Sequence, residues 1–322
     1  MPRPKKIPTK QLEHIKALEA QLEKYALAGE LNRAKLVLNE LRDLCRPFHH
    51  EARLLEGYLK LYEAALESWN LDTAKRGFQF VRENANQNTR LHLEATTLLA
   101  VAHLREKNTF SAEPLIAEVL QNETVIKSEA QRDIFRKEVI ERFDQEGALA
   151  ALAECHPEHK AEAEVHAEAI ALLREGKGER ELQERLGASV PQSVKDFLLR
   201  VDKLSKNMLP HDQKLFLPSP AEVVKNRGVG DVVFSGIKRK AYRYICDEES
   251  EVYQAWLHGG LDAILSKSFV ASAVVAVMAE LRIVFGAVAV GATAMLLQSG
   301  INNFCEQNRP SSLMSLRKRS KK

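Results

Sequence analysis

Two short clusters hold the side chains best suited to chemistry. One is Cys155-His156-Pro157-Glu158-His159, with Glu162 and His166 beyond it; the other is Cys45 followed by Arg46-Pro47-Phe48-His49-His50. A thiolate and an imidazole four residues apart on one helix can share a zinc ion. Each cluster contains a proline, which breaks the helix that would bring the ligands to one face. No CxxC or HxxxH half-site completes either set. Both clusters therefore read as polar residues at turns between helices. HExxH, GxSxG, a Walker lysine and a paired acidic metal motif are absent, and these are the patterns that carry common hydrolytic and phosphoryl chemistry. The expectation is a non-enzymatic chain with no cofactor and no metal.

The elements that would hold any site are helices. From Gln11 to about Arg174 glycine and proline are sparse, and apolar residues recur at three- and four-residue spacings: Leu18, Leu22, Tyr25 and Ala26, then Leu36, Val37 and Leu41. That is the period of a helix with one buried face. A repeat runs through the same region. Gly29-Glu30-Leu31-Asn32-Arg33-Ala34-Lys35 parallels Trp69-Asn70-Leu71-Asp72-Thr73-Ala74-Lys75, with echoes at Asn108–Glu113 and Asp144–Ala150. Ala34, Ala74, Ala112 and Ala150 lie 38–40 residues apart, within the range of helical-hairpin repeats. On these residues the segment of about 15–155 resembles the tetratricopeptide class of helical repeats, although the Trp-Leu-Gly-Tyr signature is missing and the period is longer. The resemblance implies a superhelical array that binds a protein partner. It implies no particular ligand.

Beyond the array, Gly176-Lys177-Gly178 interrupts the pattern. Glu179–Leu186 and Gln192–Leu204 read as two short helices around Gly187–Pro191, a pair that caps the array. A DNA-reading helix-turn-helix is disfavoured, because Lys195, Arg200 and Lys203 are balanced by Asp196 and Asp202. Prolines 210, 218 and 220 and glycines 228, 230 and 236 mark 205–236 as a linker, with Asp231–Phe234 as a short strand or anchored loop. Gly228-Val229-Gly230 lacks the spacing of a phosphate loop. Residues 237–266 read as helical, with Lys238-Arg239-Lys240, Tyr242, Tyr244, Tyr253 and Trp256 around an acidic run at 247–251.

Ser268–Leu297 is the outlier: thirty residues with only Glu280 and Arg282 charged. As one helix it would be about 45 Å long, more than the ~30 Å of a bilayer core. Small residues four apart, Ser272/Ala276 and Ala287/Gly291, permit close helix approach in lipid. Three forms are open: a transmembrane helix, a helical hairpin turning near Glu280–Arg282, and a fully buried core or oligomer seam. In the membrane forms Phe269, Val274, Val277, Ile283, Phe285, Val288 and Leu296 contact lipid and Glu280 pairs with Arg282.

The sequence thus divides into a basic tail (1–10), a helical-repeat domain with capping helices (11–204), a linker (205–236), a C-terminal helical region (237–306) and a second basic tail (307–322). The first tail carries Arg3, Lys5, Lys6 and Lys10, and the last six residues hold Arg317, Lys318, Arg319, Lys321 and Lys322. A formal net charge of +3 is too small to imply nucleic acid. Four separated cysteines suit a reducing cytosol and argue against a disulfide framework, and no secretory signal is visible. The expected architecture is all-α: a solenoid-like array of helical hairpins, a linker and an apolar C-terminal segment. The expected role is a cytoplasmic, membrane-associated scaffold that binds a protein partner, with a latent membrane effector as its sharper form and homo-oligomers through the apolar segment. The alternative is a soluble regulatory adaptor with a buried apolar dimer core and tails that touch nucleic acid.

Overall fold

The computed structural model describes residues 4–155 and 159–309, all of them helix, turn or irregular chain with no strand. They form two compact units, 4–139 and 140–309.

The first unit contains α1 (Thr9–Leu27), α2 (Leu31–Cys45), α3 (Glu51–Glu67), α4 (Leu71–Asn84), α5 (Arg90–Arg105) and α6 (Thr109–Gln121). Each helix packs on the next, and α1 also touches α3, as α3 touches α5. Three of the connections share one geometry. Gly29, Trp69 and Lys107 adopt φ of 69°, 59° and 56°, and the following N–H reaches back five residues: Glu30 to Tyr25 O, Asn70 to Ala65 O and Asn108 to His103 O, at 2.8–2.9 Å. This left-handed residue caps the carbonyls that end one helix and aims the chain into the next. Asn70 and Asn108 then accept from the N–H of Thr73 and Ser111, which satisfies a donor left over at each new helix start. Ala34, Ala74 and Ala112 follow, each fully buried, where a larger side chain would hold the paired helices apart. The fourth echo is different. Asp144–Ala150 lies within one unbroken helix, α7 (Glu129–Leu152), with no left-handed residue in it. Its glycine serves packing instead: a Cβ on Gly147 would come within 2.9 Å of Val201 Cγ2.

The second unit begins within α7 and continues with α8 (Glu162–Arg174), α9 (Glu179–Ser189), α10 (Gln192–Asn207), the single turns α11 (His211–Lys214) and α12 (Pro220–Val223), then α13 (Asn226–Cys246), α14 (Glu251–Ser266), α15 (Phe269–Glu280), α16 (Gly286–Ser299) and α17 (Ile301–Gln307). Three expectations are corrected here. The division between units falls inside α7, not at 205–236. The helices α9 and α10 belong to this unit. Residues 226–236 are the first turns of α13, so Asp231–Phe234 is helical and not a strand. The reason is packing: α9 and α13 cross so closely that a Cβ on Gly187 would lie 1.7 Å from Asn226 O, and one on Gly230 would lie 1.9 Å from Gln183 O. Glycines that read as linker punctuation are the contact points of two helices.

Candidate functional site: the apolar helix pair and its fastenings

Ser268–Leu297 does not form one helix. The segment breaks at 281–285 into α15, of 12 residues, and α16, of 14, about 18 and 21 Å long. Among the described residues no helix is long and apolar enough to cross a membrane. The break repeats the turn of the first unit: Arg282 takes φ 58°, and Ile283 N–H reaches back five residues to Met278 O at 2.8 Å.

Most of the residues expected to face lipid are interior. Val274, Val277, Val288 and Leu296 are fully buried and Ile283 is 3% exposed; Phe269 and Phe285 are half-buried. The two helices pack on each other; α8 touches both, α9 touches α16 and α13 touches α15. Small residues allow it. A Cβ on Gly291 would press on Leu186 at 2.9 Å, so the small-residue spacing of α16 seats a neighbouring helix of the same unit. Ser272, from the other small pair, donates to Glu162 at 2.5 Å.

The end of α13 fastens this pair. Arg243 Nη2 and Tyr244 Oη both donate to Glu280 Oε1, at 2.5 and 2.7 Å. The expected partner of Glu280 was Arg282; the observed partner is Arg243, because the left-handed turn carries Arg282 to the exposed surface while α13 packs on α15. Burial pushes the Tyr244 hydroxyl up from its usual range, and the Glu280 carboxylate adds to this. Just before them in α13, Tyr242 meets the ring of Phe304 at 6.4 Å. Cys246, the last residue of α13, is joined by a disulfide to Cys305 in α17. That bond overturns the expectation of four free thiols. Its sequence signal was slight: two cysteines bracketing an apolar segment, 59 residues apart.

The two chemistry-bearing clusters stay dispersed. Cys45 is buried, and burial pushes its thiol up, opposed by Arg53. His49 adopts φ 58°, and the ring Nε2 of His50 is 2.8 Å from the Lys5 carbonyl oxygen. His166 Nε2 lies 3.1 Å from Leu265 O; residues 156–158 lie outside the described residues. No group of three or more metal-ligating side chains gathers among the described residues. The basic tail Arg317, Lys318, Arg319, Lys321 and Lys322 also lies outside them. Lys195, weighed as a DNA contact, donates to Asn226 at 2.8 Å.

Sequence reasoning missed a buried acid pair. Asp144 and Asp202 are both buried, Asp202 bound to Lys206. Burial drives the Asp144 carboxyl well above the usual carboxylate range, with repulsion from Asp202 second. Beside them in the sequence, Glu146 is held by Arg142 at 2.9 Å and Arg239 at 2.6 Å. Arg239 belongs to the basic run Lys238-Arg239-Lys240.

Compared with models of protein families, with curated proteins and with solved structures, the chain finds no match.

Proposed function

We propose that this chain is a non-enzymatic helical-repeat scaffold whose first unit receives a protein partner and whose second unit shelters a membrane-active helix pair. The tetratricopeptide-like, solenoid reading of the first unit is supported by its three equivalent turns and by contacts between alternate helices. Large apolar side chains stand out on it, Leu36 at 71% and Phe110 at 89% exposure. A groove of about 290 Å³ between α2, α3 and α4 is lined by Arg42, Arg46, Leu54, Tyr58 and Phe80. These features suit a protein partner.

The observation that carries the membrane reading is the character of α15 and α16. In a chain with 28% charged residues, these two consecutive helices have one charge between them, Glu280. An ordinary surface helix is apolar on one stripe; these are apolar all round. As folded they are short for a bilayer, so membrane action requires that the pair leave its neighbours and either extend or enter one leaflet. The test is flotation of the full chain with phosphatidylcholine–phosphatidylglycerol vesicles across a urea range that opens the second unit, followed through Trp256. Recovery of protein with the lipid as that unit opens is the expected result. Protein that stays in the aqueous fraction while the unit is open refutes the membrane role.

The burial of Val274, Val277, Val288 and Leu296 favours a second reading, a soluble adaptor in which the pair is simply core and the basic tail touches nucleic acid. That reading requires binding that weakens steeply with salt and weakens again when Leu316–Lys322 is deleted.

A further inference from the structure

We propose that the Cys246–Cys305 disulfide is a redox latch that holds the apolar pair in place until a dithiol reduces it. The covalent loop runs from the last residue of α13 to α17 and encloses α14, α15 and α16 entirely. The latch rests on the reading that α15 and α16 act on lipid, but it is tested separately from it.

Within this loop α15 and α16 are buried against α8, α9 and α13, whereas α14 and α17 are held more lightly. The helix α17 has only 7 residues, too few to be stable alone. It follows Gly300 at φ 72° and is seated by Ile301 and Phe304, 5% and 1% exposed. Among the described side chains of α14, Val252 and Ile264 are buried, while Leu257 is 56% and Leu265 36% exposed. Its backbone leaves helical geometry at Gly260. The Arg243–Glu280 pair is about one-third exposed, where ion pairs contribute little. Besides the disulfide, the two ends of the loop are joined by the Tyr242–Phe304 ring contact and the buried seats of Ile301 and Phe304.

It is also within reach. Cys246 and Cys305 are only half-buried. Exposed Asp247, Glu248, Glu249 and Glu306 surround them in the sequence, a setting that repels anionic thiols and favours a neutral or basic dithiol. In the exchange, one thiolate of the reagent attacks a sulfur of the bond. A mixed disulfide forms, and the other cysteine leaves as a thiolate that takes up a proton. The second reagent thiol then attacks the mixed disulfide, frees the remaining cysteine and leaves as a cyclic disulfide. Two electrons and two protons pass from the dithiol to the protein.

Hydrogen exchange on the full chain, with and without dithiothreitol, tests the latch without lipid. The 59-residue span corresponds to a loop-closure effect on the order of 1,000-fold on an opening equilibrium. Protection across 269–299 should fall by at least about 10-fold on reduction, while α1–α6 keep theirs. A fall under about 3-fold, or equal loosening of α1–α6, overturns the latch. The paired change Cys246→Ser with Cys305→Ser should mimic reduction and abolish the response to dithiothreitol, whereas Cys45→Ala with Cys155→Ser should keep it; the reverse pattern in either overturns the proposal. If the serine pair fails to fold, the wild-type comparison still decides. Flotation with phosphatidylcholine–phosphatidylglycerol vesicles is run alongside. Loosening without lipid binding supports the latch and overturns the membrane role. Equal lipid binding with and without the reductant does the opposite.

Discussion

Replacing Gly230 by alanine sets two effects of known size against each other. In a helix interior the change gains about 1 kcal/mol from helix propensity. Here the added Cβ would stand 1.9 Å from Gln183 O and 2.7 Å from Gln183 C. A methyl group rests about 3.3 Å from a carbonyl oxygen, so the crossing of α9 and α13 would have to open by more than 1 Å. The obstacle is backbone and cannot rotate away. Separation on that scale forfeits a quarter to a half of each contact's attraction around Leu182, Leu186, Val229 and Val233, all nearly or fully buried. Overpacking typically costs about 1–3 kcal/mol even where side chains can yield. The net expectation is a loss of about 2 kcal/mol or more. The assay is urea unfolding of the second unit, read through Trp256 in a Trp69→Phe background, since the chain has two tryptophans. Gly178→Ala, with nothing within 4 Å of its added Cβ, is the control and, as the N-cap of α9, should cost no more than about 1 kcal/mol. A Gly230→Ala protein as stable as wild type, or more so, would show that the two helices do not meet this closely.

Asp144→Asn should stabilise the second unit at neutral pH, by about 1–3 kcal/mol, because Asp144 Oδ1 is buried without a hydrogen-bond partner and ionising it there is unfavourable. Its folded carboxyl titrates above the unfolded one, so the stability it contributes is present at acid pH and lost as pH rises through the folded value; the gap between variant and wild type in urea unfolding should widen from pH 4 to pH 7.5, and a constant gap would contradict this. Phe78→Ala should cost the first unit about 3–5 kcal/mol, since the ring is fully buried and meets Tyr62 edge-on at 6.5 Å; thermal unfolding reads it. Lys107→Gly should raise the same transition by up to about 1 kcal/mol, because Lys107 holds φ 56°, where glycine alone is unstrained; a lowered transition would mean that its side chain matters more than its backbone.

Helices were legible because their signals are local, and so were three of the turns. Glu30, Asn70 and Asn108 sit just after residues that can turn left-handed, and each precedes a buried alanine by four residues. The fourth echo has the same alanine, but Gln145 at the matching position stays within α7, and composition alone did not separate the cases. The linker was misread for a related reason. Gly228, Gly230 and Gly236 break a helix in isolation, but a partner helix converts the same missing Cβ into contact area. The reinterpretation of Gly230 depends on Gln183, nearly fifty residues away, and no local pattern carries that.

The same ambiguity governs the apolar pair. Small residues four apart bring helices together in lipid and in a water-soluble core alike, so Gly291 is equally suited to a membrane neighbour and to Leu186. What separates the alternatives is long-range information: which helices surround the segment, and how firmly. The disulfide and the Arg243–Tyr244–Glu280 cluster answer the second part, and both join residues 36 or more apart in sequence. The segment is held by its packing against α8, α9 and α13, and the disulfide and an ion pair about one-third exposed add fastenings that an ordinary core helix does without. If the pair acts on lipid as proposed, hydrophobicity names the residues that would leave the fold, and the packing and fastenings together set the conditions.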